Sequence, residues 1–565
     1  MNYTIDFNNI DDKPIGNRFS NLSFWYINGT TPDEKMWLEW AEEMPSGWLK
    51  QEYPWLEEMQ IFVASGGAYM GYPLKEGDEA PCEFTRDCFK DPSDRSVLDD
   101  YDFSKLVRAC GNMVRQGVRP CLKLHAVPIK YSSDPKIGWF RTNSRPPDDY
   151  EVYANYIAAL VQSMVDKFGL DEVRSWRWFV GTEFENPMWW EAADETAEST
   201  KTEYFKFHDW SVDALERVLG PECGSIGAHA MSNGDHEGGL WSAEDLLKHC
   251  ANGTNYVTGK TGSRLDFFAL SYYERAPGYL ESDEWGTNLT GDGAQLELFD
   301  GWVKSTRAML DRNGFSDIPL EVSEGGILFG MDGKWMWHGM SPGGMIDATW
   351  TAWVFWKLLE NNVAVWSRWL LLRTRGLFKG PEATATHAMR MIAEMKDDQR
   401  VAVQMPDDER LVRVVSGISS NGNTVRVLAF HHAIDVTKPT EPADLDIELK
   451  NLPFDGAVRI SKTVLDKDHG DFWPQWEKDR ENQRLTDKDY FRSRDQLDVT
   501  HALINPHHKA IWKHYEQQYE SLARFPETTS SSNVVTKGSL DLCSTLPCLS
   551  IVMFEIKRTE RTDHE

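Results

Sequence analysis

The stretch Trp176–Trp190, WRWFVGTEFENPMWW, decides how this chain is read. Trp176, Trp178 and Val180 alternate with Arg177 and Phe179 at the period of a β-strand, and Gly181 breaks the run just before a carboxylate, Glu183. In an α/β barrel the C-terminal end of a strand is where the loops converge over the active site, so residue type and position point the same way. Glu185 would share a face with Glu183 if the strand continued, and either glutamate could instead be a solvated loop residue.

Working outward, the same unit recurs. Phe103, Leu106, Val107, Cys110 and Met113 fall at helical spacing, Gly117 stops the helix, and Val118–His125 reads as a strand. Ile157, Leu160, Val161, Met164 and Phe168, closed by Gly169, lead into the quoted strand. Tyr204, Phe207, Val212, Leu215 and Leu219 run to Gly220 before the strand candidate Cys223–Ala228. Leu265–Tyr273 reads as a buried strand, and the stripe Leu296, Phe299, Val303, Thr306 and Leu310 reaches Gly314 before the strand Ile318–Ser323 and a second carboxylate, Glu324. Val363–Trp369 is the last strand. Helix, glycine and strand in repetition argue for parallel βα units. No GxGxxG or phosphate loop opens a helix, so an α/β (β/α)8 TIM barrel over residues 16–385 is expected rather than an open sheet.

After residue 385 the texture changes. Arg410–Phe430 is two alternating runs around Ser-Asn-Gly-Asn, a hairpin signal, and Asp444–Leu452 and Leu546–Ile556 are further strands. A C-terminal β-sandwich over 386–565 is expected, with the N-terminal strand of residues 1–15 free to join it. Residues 466–498 read as an excursion over the sandwich or toward the barrel, and 508–524 as a helix.

Composition narrows the function. The 565 residues carry a formal charge of -29, from 89 acidic and 60 basic side chains, which repels nucleic acid and anionic membrane surfaces. The apolar run Thr349–Leu359 is broken at Lys357 and too short to span a bilayer. Eight cysteines without CxxC pairing or histidine partners read as reduced thiols, and with no basic, apolar leader in MNYTIDFNNIDDKP a cytoplasmic address is expected. No metal and no organic cofactor is expected, and a homo-oligomer is left open. The 24 tryptophans suit stacking on sugar rings, although at least two thirds are assigned to the core.

Glu183 and Glu324 follow what count as barrel strands four and seven, which face each other across the mouth. Two facing carboxyls suit glycosidic bond cleavage: one protonates the leaving oxygen while the other attacks or stabilises the sugar carbon. A separation of about 5 to 5.5 Å implies retention and one of about 6.5 to 9.5 Å inversion. An ionised Glu324 would hold the pKa of Glu183 up, so that it begins as the acid and later serves as the base.

Several segments then resemble glycoside hydrolase family 39, the β-xylosidase and α-L-iduronidase group of the clan A barrels. Tyr101–Val107 (YDFSKLV), Gly117–Leu124 (GVRPCLKL) and Val127–Pro128 are similar to the family's helix-two and strand-three pattern. Gly181-Thr182-Glu183 stands where the family has Trp-Asn-Glu, Trp189–Trp190 where it has an aromatic residue, Asp266–Tyr273 resembles strand six and Pro319–Glu324 (PLEVSE) the nucleophile strand. Leu452–Gly456 and Leu465–Trp476 are similar to its sandwich segment.

The resemblance implies Glu183 as acid/base, in preference to Glu185, and Glu324 as nucleophile, with Thr182, His125, Tyr273, Trp190 and Trp369 toward the substrate. Tyr273 and His125 are read equally well as structural residues, and Trp369 is preferred to Trp366 as the floor of the sugar site. Arg368 and Arg373 are candidates for a uronate carboxylate, with pairing to acidic neighbours the commoner role. Three departures stand out: Thr182 replaces the asparagine that binds the sugar 2-hydroxyl, Ser271 replaces a strand-six histidine, and Val63–Gly66 (VASG) replaces Arg-Phe-His-Gly. The expected activity is retaining, exo-acting hydrolysis of an equatorial β-D or α-L bond in an oligosaccharide, and xylose or iduronate specificity is not carried over. A transglycosylase on the same scaffold and a non-catalytic carbohydrate-binding barrel are the alternatives.

Overall fold

A computed structural model of the chain describes residues 1–24, 32–68, 87–138, 142–231, 240–275, 296–331, 334–337, 344–369, 372–375, 377–406, 411–433, 440–484 and 506–559. Eight parallel strands close into a barrel: Asn21–Phe24, Glu58–Ile61, Arg119–Leu124, Arg177–Val180, Ile226–Ala230, Phe267–Arg275, Leu320–Met331 and Trp366–Trp369. They are called barrel strands one to eight below. The eighth pairs with both the seventh (Trp366 with Val322) and the first (Arg368 with Leu22), which removes every sheet edge.

The helical stripes lie where their spacing predicts. Ser104–Arg115, Tyr150–Phe168, Ala197–Leu219 and Leu296–Arg312 alternate with the strands. Tyr150–Phe168 begins on Asp149, whose carboxylate accepts from the N–H groups of Glu151 and Val152, and stops at Gly169, where φ is 88°. Barrel strands one and two, of four residues each, are not among the strands expected from the sequence. Barrel strand seven differs from expectation: it does not end at Ser323 but runs on to Met331, so Glu324 is inside it.

The barrel lumen is not the usual stack of branched aliphatics. At its N-terminal floor Arg177 of strand four donates to Glu58 of strand two (3.2 Å) and to both carboxylate oxygens of Glu321 of strand seven (2.8 Å each). These strands are not neighbours, so the contacts cross the interior. Cys121, Phe179, Phe267 and Ala269 form an apolar layer with this floor, the Arg177 guanidinium lying 4.0 Å over the Phe267 ring.

Nine further strands form one hydrogen-bonded sheet, which includes the N-terminal strand Asn2–Pro14 between Gln399–Gln404 and Ala443–Lys450, while Lys334–Trp337 pairs with barrel strand seven and Arg373–Arg375 with Lys379–Glu382. Strands from its centre and both ends share one apolar core, including Ile5, Val427, Ile447, Val535 and Phe554, so the sheet curls over itself. The expected hairpin is Leu411–Ile418 with Thr424–His432. The expected strand Leu546–Ile556 is two, Leu540–Leu546 and Ser550–Arg558, separated at Leu549 with its positive φ.

The apolar run near Thr349 lies in the helix Gly344–Glu360, which is buried against the barrel on one side and this sheet on the other. Trp353 packs on Phe430 and His432, and Thr349 is hydrogen-bonded to His432. Among the described residues no helix is long and apolar enough to cross a membrane. The excursion near residue 466 turns toward the barrel: helices Trp473–Asn482 and Pro506–Leu522 pack through Trp476, Trp512 and Tyr519, and Ala523 accepts a hydrogen bond from His387.

Replacing Arg177 by Met would leave Glu58 and Glu321 buried without their shared cation. Loss of about 3–5 kcal/mol is expected in urea unfolding, and a change below 1 kcal/mol, on the order of a surface pair, would show that the floor carries no such load.

Candidate active site

Gly181 and Glu183 both have positive φ, 78° and 42°, immediately after barrel strand four. Such a conformation is natural for glycine and uncommon for glutamate, and here it folds the chain back over the barrel. A Cβ at Gly181 would meet the Tyr204 ring at 3.0 Å, and the Tyr204 hydroxyl holds the Val180 carbonyl at 2.6 Å, which fixes the turn.

The turn brings Glu183 into a shell of donors. Ser271 of strand six donates to its Oε1 at 2.6 Å, while Asn186 Nδ2 and Trp189 Nε1 donate to Oε2 at 3.0 Å each. Glu183 and Glu324 are 8% and 6% exposed, enough to leave the mouth open to a ligand. Carboxylate oxygens of the two, with a ring nitrogen of His229 from strand five, all lie within 4.8 Å of one another. Glu185 turns elsewhere, its Oε1 accepting from the backbone N–H of Met231 at 2.7 Å.

Below the pair stands Lys123, wholly buried on strand three. Its Nζ is 3.0 Å from His229 Nδ1, 3.3 Å from Ser323 Oγ and 3.6 Å from the Phe62 ring centre, and His229 Nε2 is 2.8 Å from Ser271 Oγ. Burial brings the lysine down to about 7, against the pull of the Glu324, Cys121 and Glu183 charges. Burial, then the Lys123 and His125 charges, holds His229 well below the imidazole range. Burial also raises the Glu183 carboxyl above the usual range, opposed by Ser271, Asn186, Lys123 and Trp189. Desolvation is thus the leading cause of its raised pKa, where the sequence reading looked to the Glu324 charge.

Glu183, His229 and Glu324 are the group whose geometry comes nearest a metal site among the described residues. Both imidazole nitrogens are already engaged, by Lys123 and by Ser271, which leaves the ring without a lone pair to offer a cation. The donor set is that of a proton-handling site.

The other sequence candidates separate. His125 lies just past strand three, its ring 5.2 Å from that of Trp189, and neither ring nitrogen has a hydrogen-bond partner among the described residues. Burial and the Lys123 charge bring it down to about 3, so it is a neutral imidazole. Thr182 is buried with its hydroxyl likewise unpartnered. Trp190 is turned away: it packs on Tyr204 and Phe207 and donates to the Thr200 carbonyl, so the indole at the carboxylates is that of Trp189. The reason is local, since adjacent residues in this turn face opposite ways. The backbones of Tyr273 and Trp369 lie on strands six and eight, and their side chains are outside the described residues. Trp366 packs outward on Tyr272 and Trp350. Arg368 is paired with Asp347 and Thr351, and Arg373 with Tyr53 and Glu382, so both have the structural role.

Sequence reasoning did not single out Asn186, Lys123 or His229 for the site. Only the alternation of strand three hinted at Lys123, which shares a face with His125. At the two positions where the sequence departs from the family pattern on strand six and after strand two, Ser271 bonds both Glu183 and His229, and Lys123 lies over the Phe62 ring that precedes Val63.

Fold and site together are of one class, a closed (β/α)8 barrel with two buried carboxylates at its C-terminal mouth. Residues 88–324, less than half of the chain, match the model for glycosyl hydrolases family 39, and over that stretch the chain resembles that family. A β-xylosidase of Geobacillus stearothermophilus is 25% identical over 228 residues, 40% of each chain. An α-1,4-L-rhamnosidase of Formosa agariphila is 23% identical over 131 residues, 23% of each. The match therefore spans less than half the length of these curated relatives. The crystal structure of the GH39 enzyme from Xanthomonas axonopodis pv. citri covers 99% of this chain with 97% of its own, with a TM-score of 0.63 at 15% identity, a likeness of fold.

Gly325 tests the placement of Glu324. A Cβ there would lie 2.3 Å from the buried Trp366 ring and 2.8 Å from the Tyr272 carbonyl, neither able to yield. Gly325→Ala is expected to lower stability by about 1–3 kcal/mol in thermal unfolding, and an unchanged melting temperature would contradict this packing.

Proposed function

We propose that this protein is a retaining glycosidase in which Glu324 is the nucleophile and Glu183 the acid/base. The observation that carries the reading is the approach of the two carboxylates across the mouth, within 4.8 Å at their nearest oxygens. That is nearer to the separation of about 5 to 5.5 Å used for double displacement than to the span of about 6.5 to 9.5 Å that admits a water between the carboxyls.

The steps follow from the surroundings of each group. Glu183, kept above the ordinary carboxyl range by burial, protonates the leaving glycosidic oxygen as Glu324 attacks the sugar carbon. The covalent glycosyl ester then removes the Glu324 charge. Glu183, now a carboxylate with three donors on it, takes a proton from the incoming water, whose oxygen attacks the same carbon and frees Glu324.

His125 and Thr182, whose buried polar atoms have no hydrogen-bond partner among the described residues, are the side chains taken in this reading to bond sugar hydroxyls. Thr182 is shorter than the asparagine of the family pattern and Ser271 smaller than its histidine, which supports a sugar other than xylose or iduronate. The names of the relatives include a β-xylosidase and an α-L-rhamnosidase, which supports a β-D or α-L substrate class. Exo action on short oligosaccharides within the cytoplasm completes the proposal. Domain boundaries at residues 15 and 385 belong to it too.

Turnover of one member of an aryl glycoside panel is expected. Glu324→Gln should reduce it on the order of 10³-fold or more, as removal of a nucleophile does, and azide should restore turnover to Glu183→Ala. Activity near that of the unmodified protein in either variant would sink the assignment.

A further inference from the structure

Lys123 is the buried titratable group that this mechanism leaves unused, and among the described residues no carboxylate lies within ion-pairing distance of it. A charged ammonium has protons to give and no lone pair to receive one. Lys123 therefore donates to His229 Nδ1, which leaves the ring proton on Nε2. That nitrogen donates to Ser271 Oγ at 2.8 Å, and the Ser271 proton is directed to Glu183 Oε1 at 2.6 Å. Each direction is forced by the one before it.

Resting on the assignment of Glu183 as acid/base, we propose that Lys123, His229 and Ser271 form a relay through which Lys123 and Glu183 share one proton. The transfer balances link by link. A Lys123 proton passes to His229 Nδ1, the Nε2 proton passes to Ser271 Oγ, and the Ser271 proton passes to Glu183 Oε1. The ammonium becomes an amine and the carboxylate a carboxylic acid. Every hydrogen bond then runs the other way, from Glu183 through Ser271 and His229 to the lysine lone pair.

Both states have a use. The neutral state avoids two buried charges and presents Glu183 as the acid needed to expel the leaving group. The charged state directs the Ser271 donor, with those of Asn186 and Trp189, at a carboxylate ready to act as base. Sharing requires matched proton affinities, and burial moves the lysine down and the glutamate up toward each other. The charged and titratable groups around the relay are Glu324 from strand seven, Cys121 and His125 from strand three and its end, and beneath the apolar layer Arg177, Glu58 and Glu321. Among the described residues the hydrogen bonds of the relay run from Lys123 through His229 and Ser271 to Glu183, and the groups around it act through their charge.

The first test is the pH profile of kcat/KM on a slow aryl glycoside, whose leaving group needs the acid. Activity is lost as pH rises through the pKa of Glu183. Lys123→Met removes a positive charge that lowers that pKa, and Ser271→Ala removes a donor to the carboxylate. Each should move the basic limb to higher pH by about one unit, and the double variant no further than the larger single shift, because both cut one chain. A fall in kcat with the limb unmoved in Ser271→Ala, the milder change, would overturn the relay and leave a structural role.

The second test needs no turnover. Carbon-13 at lysine Cε in the full-length protein, assigned with Lys123→Met, should report a titration near 7 that moves in Glu183→Gln. A lysine titrating above about 9, or indifferent to Glu183→Gln, would overturn the proposal even if glycosidase activity is found. The expected titration without turnover of any glycoside would instead keep the relay and remove the glycosidase reading.

Discussion

Two buried carboxylates whose oxygens lie within 4.8 Å of each other inside a closed barrel are the constraint that the rest of the structure answers. Buried charges of one sign repel and lose their hydration, so such a pair persists only where the lining returns donors and positive charge. Here the response is spread through the lumen: three donors on Glu183, the Lys123 ammonium below the pair, and at the floor a guanidinium held between Glu58 and Glu321. An aliphatic barrel core would provide none of this.

The lining draws on several strands at once, because inward-facing residues of a barrel converge on the same few ångströms. His229 reaches Ser271 from strand five and Lys123 reaches His229 from strand three, so an imidazole and an amine stand beside the donor to Glu183.

The barrel does not stand by itself. The helix Gly344–Glu360 is apolar nearly all round because it is covered on both sides, by the barrel and by the curled sheet. Its Asp347 and Thr351 hold Arg368 of strand eight, so the wall bearing the last strand of the mouth is tied to the second domain through the same helix.

Much of the fold was legible in the chain alone. Helical stripes ending in glycine before short strands define parallel βα units, and two glutamates follow or lie on strands four and seven, because periodicity and chain order are local properties. The positions of Glu183 and Glu324 were read from these signals, as was the joining of the hairpin strands. Barrel strands one and two were not, and Trp190 was preferred to Trp189 because a turn, unlike a strand, does not say which of two adjacent side chains faces the carboxylates. What only the tertiary structure decided is the company the glutamates keep. Asn186, Trp189, His229 and Lys123 come from separate strands and loops, and the closing of the barrel alone brings them within hydrogen-bonding distance, a relation that no local pattern of residues encodes.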